Sequence, residues 1–335
     1  MTPNDFVSTQ GWPLKRLLKV LDRAAAVKAE TRPRLSKGLR GKHVALLFFN
    51  PSLRTRASME IAVSDLGGHA IVLQPGKDAW PIEVRDGVVM DGEAEEHIKE
   101  AVTVLDGFCD CLAVRCFPKF QDWNYDKTDP VLSAVRRWAT KPVVNMETIV
   151  HPLQELALAM TMRHHFGPDL ARKKFLLTWT YHPKPLNTAV ANSAAMISTR
   201  LGMDLTILRP DGYDLDPVFM GLARDNARQA GKSVTVTSDI ESAYCGADFV
   251  YAKSWGSLEY FGRWPDEKPL REGLKHFIVD RNKMALTNDA FFSHCLPMRR
   301  NVKATDEVVN SPRSLIYEEA NNRLHTAKAL LDEIL

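Results

Sequence analysis

Hydrophobic positions along the chain follow two alternating patterns. Short apolar runs rich in β-branched residues predict strands at 43–49, 69–74, 111–117, 142–146, 174–181, 204–210, 233–238, 248–255 and 290–297. Longer stretches between them predict helices, among them 129–139, 151–165, 188–202 and 216–230. Strands that alternate with helices favour parallel sheets with helices on both faces.

Two domains fit this pattern better than one. A chain of 335 residues with this many strands divides naturally into two sheets of four or five strands. The helix that begins near His151 ends at Gly167-Pro168, a stop signal, so we place the domain change in or near it. The predicted fold class is α/β, with two doubly wound domains, each a parallel sheet flanked by helices. Residues 1–155 form the first domain, 156–312 form the second, and a C-terminal helix at about 313–335 returns to the first.

Composition narrows the class of protein. Hydrophobic residues make up 45% of the chain and charged residues 25%, an ordinary globular mix. The net charge of +3 and the lack of an apolar run of ~20 residues predict neither a nucleic-acid partner nor a membrane span. The five cysteines lack CxxC spacing, and the N-terminus lacks a signal-peptide pattern. Both observations favour free thiols in the cytoplasm. No strand is followed by GxGxxG and no metal-ligand spacing appears, so we expect neither cofactor nor metal.

The turn after the first predicted strand is the most informative segment. Asn50 or Ser52 can cap the helix that follows, whose first N–H groups carry the positive end of the helix dipole. The Thr55 hydroxyl and the Arg54 and Arg56 guanidinium groups add donors there, as a phosphate dianion requires. In an ordinary surface helix, two arginines in the first turn would oppose the dipole, so we favour an anion site.

Two further segments lie at predicted strand ends. His151 and Gln154 open a helix and can donate hydrogen bonds to a carbonyl oxygen, although a histidine there, taken alone, is more often structural. The segment 294–297 reads His-Cys-Leu-Pro, and no base partner for Cys295 is evident. Backbone carbonyls around Leu296 are therefore better candidates, as acceptors for an amide group, than Cys295 is as a nucleophile.

These three segments, in this order, resemble the carbamoyltransferase family. Its members carry a Ser-x-Arg-Thr-Arg loop, a His-Pro-x-Gln segment and a late His-Cys-Leu-Pro segment, and the resemblance covers nearly the whole chain. It implies a carbamoyl-phosphate domain, an amino-acid-substrate domain, and a homotrimer with active sites at subunit interfaces. The carbamoyl-phosphate-binding residues that it implies are Ser52, Leu53, Arg54, Thr55, Trp80, Arg115, His151, Gln154, Cys295, Leu296 and Arg323.

The implied reaction is attack of a neutral amine on the carbonyl carbon of carbamoyl phosphate. Negative charge develops on the carbonyl oxygen and then on the leaving phosphate. His151, Thr55 and Arg115 are the catalytic candidates, because they can stabilise that oxygen, while Arg54 and Arg56 can hold the phosphate.

The segment expected to bind the amino acid departs from ornithine-using members of the family. Those members carry an acid several residues before Ser-Met-Gly, whereas this chain has Lys253 directly before Ser-Trp-Gly. A cation suits a free α-carboxylate and disfavours an α-ammonium group, which is the charge pattern of an N-acylated amino acid. Together with 74–81, 145–148 and 178–187, this departure resembles the acetylornithine branch of the family, which serves arginine biosynthesis.

That branch implies roles for further residues. Trp80 would enter the neighbouring subunit's site, and Glu95 would face the acyl group and select acetyl over succinyl. Arg299 and Arg300 would depress the pKa of Lys303, whose neutral amine would be carboxylated by CO₂. The residues implied to bind the acylornithine are Glu147, Asn187 and Lys253.

Each of these residues also has an ordinary interpretation. Trp80 could be a core aromatic, Glu147 and Glu95 helix-start acids, and Lys253 and Lys303 solvated amines. Other functions also stay open: a carbamoyltransferase for N-succinylornithine, free ornithine or aspartate, or a non-catalytic relative that binds carbamoyl phosphate or an acyl-amino acid. The missing glycine fingerprint disfavours a Rossmann-like oxidoreductase.

Overall fold

The chain contains two compact α/β units. A computed structural model describes residues 4–30 and 38–335. The first unit contains the described residues up to Lys119, Asn124–Leu156 and Arg323–Leu335. The second unit contains Phe120–Trp123 and Ala157–Asn322. In the described ranges, no helix has both the length and the apolar character that a membrane span needs.

The first unit is built on a four-stranded parallel sheet in the order β2-β1-β5-β6. These strands are β1 (His43–Phe48), β2 (His69–Leu73), β5 (Cys111–Arg115) and β6 (Val143–Glu147). β5 and β6 are buried throughout, which explains why they have continuous apolar runs rather than alternation. Near the N-terminus, Phe6 pairs in parallel with Val144 and extends this sheet.

Helices and one small sheet complete the first unit. The helices are α1 (Leu14–Ala29), α2 (Arg54–Asp65), α3 (Ile98–Phe108) and α5 (Pro130–Trp138). A short helix, α4 (Trp123–Asp126), begins at the last residue of the segment 120–123. Two strands of two residues each, β3 (Ile82–Glu83) and β4 (Glu96–His97), pair with one another and were not predicted.

The second unit is built on a five-stranded parallel sheet in the order β11-β10-β7-β8-β9. Its strands are β7 (Lys174–Trp179), β8 (Asp204–Leu208), β9 (Val234–Thr237), β10 (Phe249–Lys253) and β11 (Phe291–Ser293). Its helices are α7 (Ala189–Arg200), α8 (Pro217–Gln229), α9 (Ile240–Tyr244), α10 (Trp264–Glu272), α11 (Arg281–Met284) and α12 (Asp306–Val309). The prediction of two parallel sheets flanked by helices is confirmed.

Two long helices contribute residues to both units. They are α6 (Pro152–Phe166), which passes into the second unit after Leu156, and α13 (Ile316–Ile334), which passes into the first at Arg323. The first turn of α13 belongs to the second unit, where Glu319 accepts hydrogen bonds from the Tyr251 and Ser293 hydroxyls. This helix begins at Ile316, and its residues from Arg323 onward belong to the first unit.

Each sheet has one point where the strand order reverses. In the first sheet it lies between β1 and β5, and in the second between β7 and β10. Crevices at the carboxyl ends of strands flanking such a point are the usual ligand sites of doubly wound folds. The segments that follow β1, β5, β7 and β10 are therefore where a functional site is expected.

Candidate active site

The turn after β1 is held by hydrogen bonds from two side chains. Asn50 Oδ1 accepts the backbone N–H of Phe117, 2.6 Å away, which ties the segments after β1 and β5 together. Ser52 Oγ accepts the backbone N–H of Thr55 at 3.2 Å, in the manner of an N-cap. Of the two predicted caps, Ser52 therefore serves the helix and Asn50 fixes the neighbouring strand end.

Residues from three helices meet at the start of α2. The guanidinium group of Arg323, from α13, donates to Thr55 Oγ1 at 2.6 Å and to Gln154 Oε1 at 3.2 Å. All three side chains are buried. A buried arginine beside a helix N-terminus provides a positive, preorganised site for an anion.

A second cluster links the ends of β5 and β6 with the start of α6. An oxygen of Glu147 contacts Arg115 Nη1 in a buried ion pair and lies 3.5 Å from His151 Nε2. The sequence placed Glu147 with the acceptor substrate, whereas the structure places it between two carbamoyl-phosphate candidates. The helix-start interpretation of Glu147 is wrong, since the residue ends β6 and is paired with Arg115.

Other residues of the first unit are exposed. Leu53 is 77% exposed and Trp80 is 66% exposed, so the interpretation of Trp80 as a core aromatic is wrong. Glu95 is exposed and lies before α3, whose first-turn acid is Glu100. Arg56 is also exposed and forms an ion pair with Glu60 at 2.9 Å along α2, whereas Arg54 is half-buried.

In the second unit, Lys303 is a fully buried amine. Its Nζ lies 3.3 Å from His294 Nε2, and only 1% of the residue is exposed. Burial, reinforced by the charges of Lys253 and Arg299, lowers the pKa of Lys303 to about 7. The interpretation of Lys303 as a solvated surface amine is therefore wrong.

The hydrogen bonds of His294 agree with a neutral lysine. Its Nδ1 accepts the backbone N–H of Leu296 at 2.8 Å, so in the neutral ring the proton is on Nε2. That N–H faces Nζ of Lys303, which can accept it only as a neutral amine with a free electron pair. Leu296 itself has a positive φ of 53° and precedes a cis Leu296–Pro297 bond, and Cys295 is buried.

Several cationic groups of the second unit lower the pKa values of neighbouring groups. Burial first, and then the charges of Lys303, Arg299 and Lys253, lower the pKa of His182 to about 4. Lys253 ends β10 and is half-buried, while Asn187 Oδ1 accepts the Ala189 N–H at 3.1 Å at the start of α7. This cationic group lies at the carboxyl ends of the strands that flank the second switch point.

His182 and His294 were not among the predicted site residues. Both stand in segments that the sequence analysis singled out, and their placement beside Lys303 depends on the fold. A histidine one to three residues before a proline in a strand-end loop was the available signal.

The fold and these clusters define a class: a two-unit α/β protein with a buried arginine beside a helix N-terminus in one unit and a cationic group at strand ends in the other. The carbamoyl-P binding domain model of aspartate/ornithine carbamoyltransferase matches residues 4–164, and the Asp/Orn binding domain model matches residues 185–334. The chain belongs to the aspartate/ornithine carbamoyltransferase family.

Two members of the family and one solved structure show which proteins this chain is similar to. An N-acetylornithine carbamoyltransferase from Xanthomonas campestris pv. campestris is 56% identical, over 99% of this chain and 97% of the relative. An N-succinylornithine carbamoyltransferase from Bacteroides fragilis is 38% identical, over 88% of each. The crystal structure of acetylornithine transcarbamylase complexed with acetylcitrulline superimposes with a TM-score of 0.96 at 55% identity, covering 99% of both chains.

Proposed function

We propose that this protein transfers the carbamoyl group of carbamoyl phosphate to the side-chain amine of N²-acetyl-L-ornithine, releasing N-acetylcitrulline and phosphate. The observation that carries the proposal is the cluster of Thr55, Gln154 and Arg323 beside the Arg115–Glu147–His151 cluster, in a chain 56% identical to a protein of that name. We place the reaction in arginine biosynthesis.

The first unit supplies the groups that bind the donor. Ser52, Leu53, Arg54, Thr55 and Arg323 bind the phosphate, through side chains and the N–H groups of the α2 terminus. We assign Gln154, Cys295 and Leu296 to the carbamoyl amide group, as the family resemblance implies.

The catalytic groups act on the carbonyl oxygen. The substrate amine forms a C–N bond, the C–O bond to phosphate breaks, and the amine loses a proton to the departing phosphate. His151, Arg115 and Thr55 donate to the oxygen on which negative charge builds. Arg115 is paired with Glu147. We propose that the anionic donor competes for Arg115 and frees the Glu147 carboxylate to accept from an N–H of the acylornithine.

The second unit supplies the acceptor side. Lys253 binds the free α-carboxylate and Asn187 the amide portion of the acylornithine. The positive charges of Lys253 and Arg299 support an anionic ligand and disfavour free ornithine, whose α-amino group is a cation.

We further propose that Lys303 is carboxylated. Its depressed pKa leaves a neutral amine, whose lone pair forms an N–C bond with CO₂ and loses one proton to give a carbamate. The Nε2–H of His294, 3.3 Å from Nζ, can then donate to a carbamate oxygen. The modification replaces a buried neutral amine with an anion next to the bound acceptor.

We propose a homotrimer, in which Trp80 and Glu95 reach the neighbouring subunit's site. The support is the exposure of large apolar side chains of the first unit, Leu53, Trp80 and Phe108, each more than 60% exposed. A cytoplasmic location fits the free state of all five cysteines.

A comparison of acceptors tests the proposed function. Phosphate release from carbamoyl phosphate is measured with N-acetylornithine, N-succinylornithine, ornithine and aspartate, and the product is identified by mass spectrometry. We expect turnover with N-acetylornithine at least about 100-fold above that with the other three. Preference for another acceptor would reassign the substrate, and the absence of turnover with all four would favour a non-catalytic binding protein.

A further inference from the structure

Two adjacent histidines of the second unit share one glutamate, away from the proposed catalytic groups. His164 and His165 lie in the last turn of α6, and Glu318 lies in the first turn of α13. His164 Nδ1 is 2.6 Å from Glu318 Oε1, and His165 Nε2 is 2.8 Å from Glu318 Oε2. One ligand atom from each residue lies within 4.8 Å of the other two. Across 4–30 and 38–335 no other group of His, Cys, Asp or Glu side chains is arranged in this way.

We propose that His164, His165 and Glu318 form a binding site for a divalent transition-metal ion, with Zn²⁺ as the ion that suits it. Two imidazole nitrogens and one carboxylate oxygen form a donor set that Zn²⁺ accepts in tetrahedral geometry. Mg²⁺ and Ca²⁺ prefer all-oxygen sets, so they bind this site poorly. The site takes an ion for structure and plays no part in carbamoyl transfer.

Little rearrangement is needed to admit an ion. Zinc requires ligand distances of about 2.0–2.2 Å, so the two hydrogen bonds must open while the ion takes the place of their protons. His164 would coordinate through Nδ1 and keep its proton on Nε2, and His165 would do the reverse.

The surroundings hold the ligands in place. The His165 ring lies 4.6 Å from the Phe291 ring and 4.8 Å from the His164 ring, which limits its rotation. The carbonyl end of α6 carries the negative end of the helix dipole, which favours a cation at its last turn. The side chain of His164 is 61% exposed, so water can complete the coordination shell. The Arg313 guanidinium lies over the other partner of His165, the Phe291 ring, at 4.6 Å, and its charge is paired with Asp289.

The first experiment measures Zn²⁺ binding to full-length, tag-free, chelator-treated protein by isothermal titration calorimetry. We expect saturable binding of one ion per chain at neutral pH. His165→Gln and Glu318→Gln should each weaken it at least about tenfold, because each removes one of three ligands. The matched control is His43→Gln, which alters the other contacting histidine pair, His43 and His69, with ring centroids 5.9 Å apart. That variant should bind Zn²⁺ like the wild type.

A second measurement keeps the proposal testable if one of these variants fails to fold. His164→Gln changes the most exposed ligand, and Cu²⁺ bound to the wild type should show hyperfine coupling to two nitrogens by electron paramagnetic resonance, falling to one in this variant. Carbamoyl transfer should be the same in His164→Gln as in the wild type, which separates the metal site from the proposed activity. Equal Zn²⁺ affinity in wild type and all ligand variants, or no binding at all, would leave only a His–Glu ion pair and overturn the proposal.

Discussion

Two arginines two positions apart at the start of α2 differ in their surroundings. Arg54 is half-buried at the helix start, whereas Arg56 is exposed and paired with Glu60. We predict that Arg54→Ala lowers kcat/KM for carbamoyl phosphate at least about tenfold, since a charge-assisted contact of ~1.5–3 kcal/mol is lost. Arg56→Ala is the matched control and should change it less than about twofold. Steady-state kinetics check both variants, and equal losses would remove Arg54 from the phosphate site.

The proposed carboxylation of Lys303 should depend on pH. Because its pKa is lowered to about 7, the reactive neutral amine predominates above that pH and is lost as pH falls below it. We predict that ¹³C-NMR in ¹³C-bicarbonate shows one carbamate signal per chain at pH 8, which weakens toward pH 6 and is absent in Lys303→Met. The exposed Lys268→Met should keep it. A wild-type spectrum without a carbamate signal at pH 8 would reject the modification.

Glu95 offers a charge-based test of acyl selectivity. A succinyl carboxylate ~4 Å from Glu95 would be repelled by ~4 kcal/mol at an effective dielectric near 20, or ~10²–10³-fold in affinity. We predict that Glu95→Ala and Glu95→Ser accept N-succinylornithine, which the wild type rejects. The exposed Glu93→Ala, two residues away, serves as control. Assays of both acyl-ornithines on each protein check this, and an unchanged preference would mean that Glu95 is not the gate.

Which residues bear charge could be predicted from the sequence, but their pairing could not. Arg115 and Glu147 come together because the register of β5 against β6 shifts after Val114, which sets Arg115 opposite Glu147. Such an irregularity leaves no mark in an apolar run. The proximity of Lys303 to His294 likewise depends on a loop with residues at positive φ, Leu296 and Asn301, neither of them glycine.

At the scale of elements, the segment 120–123 packs against the loop before α10. An added Cβ at Gly262 would lie 2.2 Å from the carbonyl oxygen of Gln121, and Gly262 has φ of 82°. We predict that Gly262→Ala lowers the free energy of unfolding by about 2–4 kcal/mol. Gly221→Ala, inside α8 with no atom within 4 Å of the added Cβ, should instead raise it by about 0.5–1 kcal/mol. Urea denaturation measures both, and a neutral Gly262→Ala would contradict the contact.

The elements themselves were largely predictable. All nine predicted strands are present. The central strands, such as β5 and β6, are buried throughout and therefore have apolar runs that stand out in the sequence. The predicted carboxyl ends of two strands, Tyr181 and Pro210, lie beyond the observed ends of β7 and β8, because apolar residues continue into the loops that follow. β3 and β4 were missed because two residues are too few to show a period.

At the scale of the whole molecule, an interfacial site predicts complementation between subunits. Trp80→Ala and Arg54→Ala should each reduce activity at least about tenfold when expressed alone. Co-expressed, they should form mixed trimers in which roughly a quarter of the sites combine an intact Arg54 with a neighbour's intact Trp80. Activity well above that of either variant is expected, and light scattering should give the mass of a trimer. No recovery in mixed trimers would place Trp80 in its own subunit's site.

The late position of Arg323 in the chain bears on how the protein is made. Its partners, Gln154 and Thr55, precede it by 169 and 268 residues. At ribosomal rates of ~5–20 residues per second, roughly 10–30 s separate the synthesis of Gln154 from that of Arg323. Throughout that interval a nascent chain can assemble its first sheet but not the proposed anion site. If Arg323 binds phosphate as proposed, affinity for phosphate is gained only once Arg323 has been synthesised, and a ribosome stalled before Arg323 would hold a chain without it.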